Sequence, residues 1–142
     1  MAKRIRQDPA YLREQGKKEL KEKNKRNITF CFSKHIKGEG QSFEEWEEEG
    51  LLSQLFERLK QLGNYPVLVI KQNDWITEYH KVDFPPKSDF KVPQHISGVT
   101  WATIHIKPNS KAVIVGYIEN DIFYVVFLDK DHRFWITEKK NT

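Results

Sequence analysis

The feature that most constrains the fold of this chain is a pair of apolar runs near its end: "KAVIVGYI" at residues 111–118 and "FYVVFLD" at residues 123–129. The short segment "ENDI" separates them, and Asn-Asp between two such runs is typical of a hairpin turn. A continuously apolar run is typical of a central strand, buried on both faces. The two runs therefore predict an antiparallel hairpin inside a sheet.

Two further segments alternate between apolar and polar residues, as half-buried strands do. The segment "TWATIHIK" at residues 100–107 places Trp101, Thr103 and His105 on one side and adds a third strand to the hairpin. The segment "NITFCFSKHI" at residues 27–36 predicts an N-terminal strand.

Helices are predicted between these strands. Ser42 with Glu45 forms a capping box, and from residue 51 apolar residues recur with helical spacing. Gly50 is expected to divide this region into two helices, and the apolar stripe, which includes Leu55 and Phe56, is expected to pack on the sheet.

The segment between the helices and the last strands has no single pattern. "YPVLVIKQ" at residues 65–72 is an apolar run of ambiguous type, and residues 73–98 contain several prolines and predict a long ordered loop. The chain is therefore expected to be an α+β protein: an antiparallel sheet, made of the N-terminal strand and the C-terminal β meander, with helices packed on one face.

Charge divides the chain into two parts. Residues 1–37 carry 12 Lys/Arg against 4 Asp/Glu, although the net charge of the chain is only +4. We expect residues 1–26 to be a basic arm, helical or partly disordered, and residues 27–142 to be a single α+β domain. Such an arm suits a phosphate backbone, which nominates Lys25 and Arg26 as substrate-binding residues; the alternative is a solvated tail.

The composition restricts the cellular compartment and the cofactors that we expect for this chain. No apolar run approaches the roughly 20 residues that cross a membrane, and the N-terminus shows no signal-peptide core. Cys31 is the single cysteine, so no internal disulfide is possible. We expect a cytoplasmic protein with no membrane partner, and no metal or cofactor, because the acidic residues and histidines show no recognisable ligand spacing.

A dense group of ionisable and aromatic residues follows the last apolar run. His132 is suited to general acid–base chemistry, Lys130 and Arg133 to holding phosphate, and Asp129 or Asp131 to orienting the histidine. The aromatic residues that follow are suited to stacking on bases, and they are Phe134 and Trp135. The alternative is a structural turn, in which aspartates cap backbone groups and the aromatics complete the core.

Three more residues are candidates for substrate contact. His105 would meet His132 across the sheet if their shared face is concave, although a lone strand histidine is more often structural. Lys107 and Lys111 flank the turn "PNS" and are candidates to bind phosphate; a solvated turn is the alternative.

The order strand, helices, three-strand meander resembles the RelE/ParE toxin superfamily. The resemblance rests mainly on residues 99–135. There "WATIHIKPNSKAVIVGYIENDIFYVVFLDKDHRFW" looks like that family's final three strands and their closing His-x-aromatic element. Residues 116–134 are also similar to a broad group of small bacterial proteins that share Gly-x-Ile, Phe-Tyr-x-Val-x-Leu-Asp and His-x-Phe at these spacings.

The resemblance implies a function. Ribonuclease members of the superfamily cut messenger RNA in the ribosomal A site, using a concave basic sheet surface and a C-terminal His or Tyr. They usually carry an arginine in the strand equivalent to residues 111–118, where this chain has no arginine. Lys107, Lys111 or Arg133 would then supply the cation.

The leading expectation is a RelE-like toxin of a toxin–antitoxin or phage-defence system, a metal-independent endoribonuclease that acts on RNA, free or on the ribosome. Its partner would be an acidic antitoxin. Two alternatives stay open: a non-catalytic accessory protein that binds nucleic acid or the ribosome, and a ParE-like topoisomerase poison.

Overall fold

The structure is a computed structural model that describes residues 9–10, 13–14 and 26–136. These residues form an α+β fold with a five-stranded sheet. Its elements, in chain order, are β1 (Thr29–Cys31), α1 (Phe43–Glu48), α2 (Leu51–Leu62), α3 (Val67–Gln72), β2 (Thr77–Glu78), β3 (Trp101–His105), β4 (Val113–Glu119) and β5 (Ile122–Asp129). Residues 9–10 and 13–14 of the predicted arm are helical; its other residues before Arg26, Lys25 among them, lie outside the described residues.

The predicted hairpin is confirmed as the pair β4–β5, at the centre of the sheet. Its turn begins at Asn120, whose φ of 58° is left-handed, as two-residue hairpin turns require at that position. A bulge interrupts the pairing beside Gly116. A Cβ on Gly116 would lie 1.7 Å from the Tyr124 carbonyl oxygen, so a larger residue cannot replace this glycine without moving the strands.

The prediction of a wholly antiparallel sheet is wrong for the first strand. The sheet order is β1-β5-β4-β3-β2, and β1 pairs with β5 in parallel. Alternation along β1 defines its two faces but not its direction, because both directions have the same period of two residues. The predicted loop also contains a strand, β2, which pairs antiparallel with β3.

Helices α1, α2 and α3 pack against one face of the sheet, as predicted. Ser42 caps α1 through its Oγ, which accepts from the Glu45 backbone N–H at 3.1 Å, and Gly50, with φ of 73°, separates α1 from α2. The ambiguous run at residues 65–72 contains α3. One core cluster joins the helices to this face, and it includes Trp46, Leu55, Leu62, Ile70, Ile104, Ile114, Phe123 and Val125.

The long segment between β2 and β3 covers the opposite face. Tyr79, Phe84 and Phe90 pack there against a second core cluster that contains Trp101 and Phe127. The middle of this face is therefore closed by aromatic rings, and it differs from the open concave surface that the resemblance implies. No helix in the described part of the chain is long and apolar enough to cross a membrane.

Candidate active site at the end of strands β3 and β5

Two histidines lie close together at one end of the sheet face that the aromatic rings cover, at a point that these rings leave open. His105 ends β3, and His132 lies in the turn after β5. The register His105↔Val113↔Asp129 places the ends of β3 and β5 at the same edge of the sheet. The ring centroids of His105 and His132 are 5.4 Å apart, with 35° between the planes, so the pairing predicted from the alternation of β3 is present.

Backbone carbonyls orient both imidazole rings. Nδ1 of His105 donates to the Ser110 carbonyl oxygen at 2.9 Å, and Nδ1 of His132 donates to the Trp135 carbonyl oxygen at 3.2 Å. A carbonyl oxygen only accepts, which assigns the proton to Nδ1 in each ring. In the neutral form, each Nε2 then carries the lone pair and is the nitrogen that can take a proton from a substrate.

Asp129 fixes the turn that carries His132. Its side chain is fully buried; Oδ1 accepts from the Arg133 backbone N–H and Oδ2 from that of Phe134, both at 2.8 Å. Burial raises the pKa of this carboxyl, and the two hydrogen bonds lower it in part. Asp131, the other candidate for orienting His132, is exposed. The φ of 58° at His132 is left-handed, so the turn needs this support.

The two cations beside His132 are paired with carboxylates. Lys130 Nζ lies 3.1 Å from Glu49 Oε1, and this pair raises the lysine pKa. Arg133 Nε lies 2.5 Å from Asp89 Oδ2. Phosphate binding by either cation would compete with these pairs.

The β3–β4 turn presents two more cations. Lys107 and Lys111 are both exposed at this turn, beside the carbonyl that orients His105. They are therefore better placed than Lys130 and Arg133 to attract a phosphate to the histidine pair.

The aromatic candidates have different surroundings. Phe134 is fully buried among Phe84, Trp101 and Phe127, so the prediction that it stacks on a base is wrong: a ring inside the core has no face to offer. Trp135 is only partly buried; it stacks on Tyr79 with 4.6 Å between ring centroids.

Arg26 does not belong to the same site. Asn27 pairs with Pro66, and Thr29 pairs with Ile122 at the start of β5, whereas His132 follows the other end of that strand. At about 3.3 Å per residue, the length of β5 alone corresponds to roughly 23 Å. Arg26 is exposed at the far end of the sheet.

Sequence reasoning missed two residues near the histidines. Arg58, on α2, donates from Nε to the His105 carbonyl oxygen at 3.2 Å, and the Tyr79 hydroxyl lies 3.1 Å from Thr103 Oγ1. Arg58 precedes His105 by 47 residues, so spacing gave no signal. Arg58 lies between the buried Leu55 and Leu62 at helical spacing, yet a lone arginine in a helix is more often a solvated cation.

Comparisons with known proteins find no matching family model, no similar curated protein and no similar solved structure. Within residues 9–10, 13–14 and 26–136, no group of three or more His, Cys, Asp or Glu side chains is placed to hold a metal ion.

Proposed function

We propose that this protein is a RelE-like toxin that cleaves RNA without a metal ion, with His105 and His132 as its acid–base pair. The observation that carries the proposal is the contact of the two rings, 5.4 Å between centroids, with Nδ1 of each held by a backbone carbonyl. The order of one strand, helices and a closing meander supports the likeness to RelE.

The pair supplies both proton transfers of RNA cleavage. Nε2 of one neutral histidine takes the proton of the ribose 2′-OH, and the 2′-oxygen attacks the adjacent phosphorus. The second histidine, protonated, gives its proton to the 5′-oxygen as the P–O5′ bond breaks. The products are a 2′,3′-cyclic phosphate and a free 5′-hydroxyl, and each histidine ends in the other's starting state.

Nearby groups complete the site. Lys107 and Lys111 are exposed at the β3–β4 turn and supply positive charge for the phosphate. Trp135, partly buried against Tyr79, offers an aromatic surface for a base. The substrate would be messenger RNA, free or on the ribosome in the cytoplasm, and an acidic antitoxin would cover the site.

The test removes each histidine in turn. His132→Asn is the suitable change at this position, because asparagine tolerates left-handed backbone; His105→Ala is its counterpart. Each should lower the cleavage rate by about 10²–10⁴ while RNA binding persists. His95→Ala, at an exposed position in the long loop, is the matched control and should cleave as the wild type does.

A further measurement separates this mechanism from a metal-dependent one. A chelator should leave the rate unchanged. Wild-type protein that binds RNA but cuts neither free nor ribosome-bound messenger would overturn the proposal in favour of a binding accessory protein.

A further inference from the structure

A cavity of about 280 Å³ lies beside His105, on the side of the helices. Arg58 and Trp75 line it together with His105, Asp74 and residues 108–110 of the β3–β4 turn. His105 therefore has the second histidine as one neighbour and this cavity as another. The cavity is therefore adjacent to the proposed acid–base pair.

Arg58 is held in place with donors to spare. Its Nε donates to the His105 carbonyl oxygen at 3.2 Å and its Nη1 to Gln61 Oε1 at 3.4 Å. A guanidinium has five N–H donors, so three remain for a ligand. The two bonds fix the orientation of the fork, which reduces the entropy lost on binding an anion.

Arg58 also differs from the other arginine near the site in its electrostatic surroundings. Arg133 pairs with Asp89, whereas in the part of the chain that the structure describes Arg58 forms no ion pair with a carboxylate. Partial burial lowers the pKa of Arg58, but guanidinium stays charged at neutral pH. A partly desolvated cation with no carboxylate within ion-pair distance favours an anionic ligand.

Trp75 provides an aromatic surface in the same cavity. Its ring is partly buried, packs against Tyr65 with 5.1 Å between centroids, and has the Arg58 guanidinium carbon 5.9 Å from its own centroid. The guanidinium lies over one face of the indole, so cation and ring form one stacked surface. Such a surface binds single-stranded nucleic acid, because a base stacks on it and the phosphate pairs with the cation.

We propose that this cavity binds one nucleotide of a single-stranded RNA next to the phosphate that is cleaved, with Arg58 on its phosphate and Trp75 on its base. The inference rests on the proposed function. Asp74, which also lines the cavity, would accept from a base amino group or a ribose hydroxyl and disfavour a second phosphate. Arg58 thereby supplies, from a helix, the arginine that the strand at residues 111–118 lacks.

The experiment measures binding without cleavage. The probe is a fluorescent single-stranded oligodeoxynucleotide, which has no 2′-OH and cannot be cut. Arg58→Gln and Trp75→Leu should each weaken binding by about tenfold, the range of one lost phosphate contact or one lost stacked base. Lys60→Gln, which removes a charge from an exposed position on the same helix outside the cavity, is the matched control and should bind as the wild type does.

Salt dependence distinguishes a lost contact from a damaged fold. Arg58→Gln should reduce the slope of log K against log salt by about 0.7, one phosphate on a single strand, while Trp75→Leu should leave the slope unchanged. Arg58→Lys keeps the charge but lacks the planar guanidinium, so its affinity should lie between that of Arg58→Gln and that of the wild type. Equal affinity of Arg58→Gln and Lys60→Gln would overturn the inference.

The outcome is separable from that of the proposed function. Weak binding by Arg58→Gln together with normal cleavage by both histidine variants would support the nucleotide site and overturn the assignment of His105 and His132 as the acid–base pair. Loss of cleavage in the histidine variants with undiminished binding by Arg58→Gln and Trp75→Leu would overturn the nucleotide site alone.

Discussion

Asp129 connects the core of the protein to its candidate chemistry. It is the last residue of a central strand, and its two oxygens hold the backbone N–H groups of Arg133 and Phe134. The position of the His132 ring depends on that turn. A single buried carboxylate thus sets the position of the His132 ring through the backbone, because its hydrogen bonds go to Arg133 and Phe134.

Replacing Asp129 by asparagine should destabilise the protein. The amide has one acceptor oxygen, so one of the two buried N–H donors would face an NH₂ group, a loss of about 1–3 kcal/mol. Urea unfolding at neutral pH measures the difference. Asp131→Asn, at an exposed position in the same turn, should leave the free energy of unfolding close to that of wild type. A loss of equal size there would show that the stability does not depend on the buried carboxylate of Asp129.

The same carboxyl makes stability depend on pH. Because burial raises the pKa of Asp129 in the native state, the native chain holds this proton to a higher pH than the unfolded chain does. Between the two pKa values the native state binds more protons, so the free energy of unfolding falls as pH rises. The stability of wild type relative to Asp129→Asn should therefore be greatest below about pH 4, the ordinary aspartate range, and decline above it. A rise with pH would contradict this assignment.

At the scale of elements, α2 stabilises the sheet through one side of its stripe. Leu55 is fully buried, whereas Phe56, the next residue, is 56% exposed. The expectation that both pack on the sheet is wrong for Phe56, because adjacent residues on a helix point about 100° apart.

The pair Leu55 and Phe56 gives a matched test of this packing. Leu55→Ala should cost about 2–5 kcal/mol, as buried leucines do, because it leaves a cavity between helix and sheet. Phe56→Ala, although it removes more atoms, should change the free energy of unfolding by less than about 1 kcal/mol. Similar losses in chemical denaturation would mean that Phe56 is covered, for example by a second molecule.

Local patterns predicted the elements that local physics determines. The apolar runs around Asn120 predicted the hairpin. Ser42 predicted the start of α1, and Gly50 predicted the break between α1 and α2. The direction of β1 depends on its pairing with β5, far along the chain, and the cover over Trp101 depends on the path of residues 73–98. No local period encodes either of them. Phe134 shows what the sequence cannot predict at the site. A phenylalanine suits both base stacking and a hydrophobic core, and only the rings that surround it in the structure show that it belongs to the core.

At the scale of the whole molecule, the point where the basic arm joins the domain and the histidine pair lie at opposite ends of β5. The arm joins the domain at Asn27, which pairs with Pro66, next to Ile28, whose N–H donates to the Tyr65 carbonyl oxygen at 2.9 Å. His132 follows the other end of the strand, roughly 23 Å away at 3.3 Å per residue. An RNA long enough to reach both would contact the protein at two separate places.

Removing residues 1–26 should therefore weaken RNA binding without unfolding the domain. These residues carry ten Lys/Arg against four Asp/Glu, and each lost phosphate contact lowers the salt slope by about 0.7 for single strands. The truncated chain keeps Asn27 and buried Ile28, so its Tm should stay within a few degrees. Deleting residues 1–28 is the control and should lower Tm much further, since it removes that anchor. A short oligonucleotide that reaches only the histidine pair should bind the full chain and the 1–26 deletion with the same salt slope. If the deletion instead lowers the slope equally for short and long RNA, the arm lies beside the histidines.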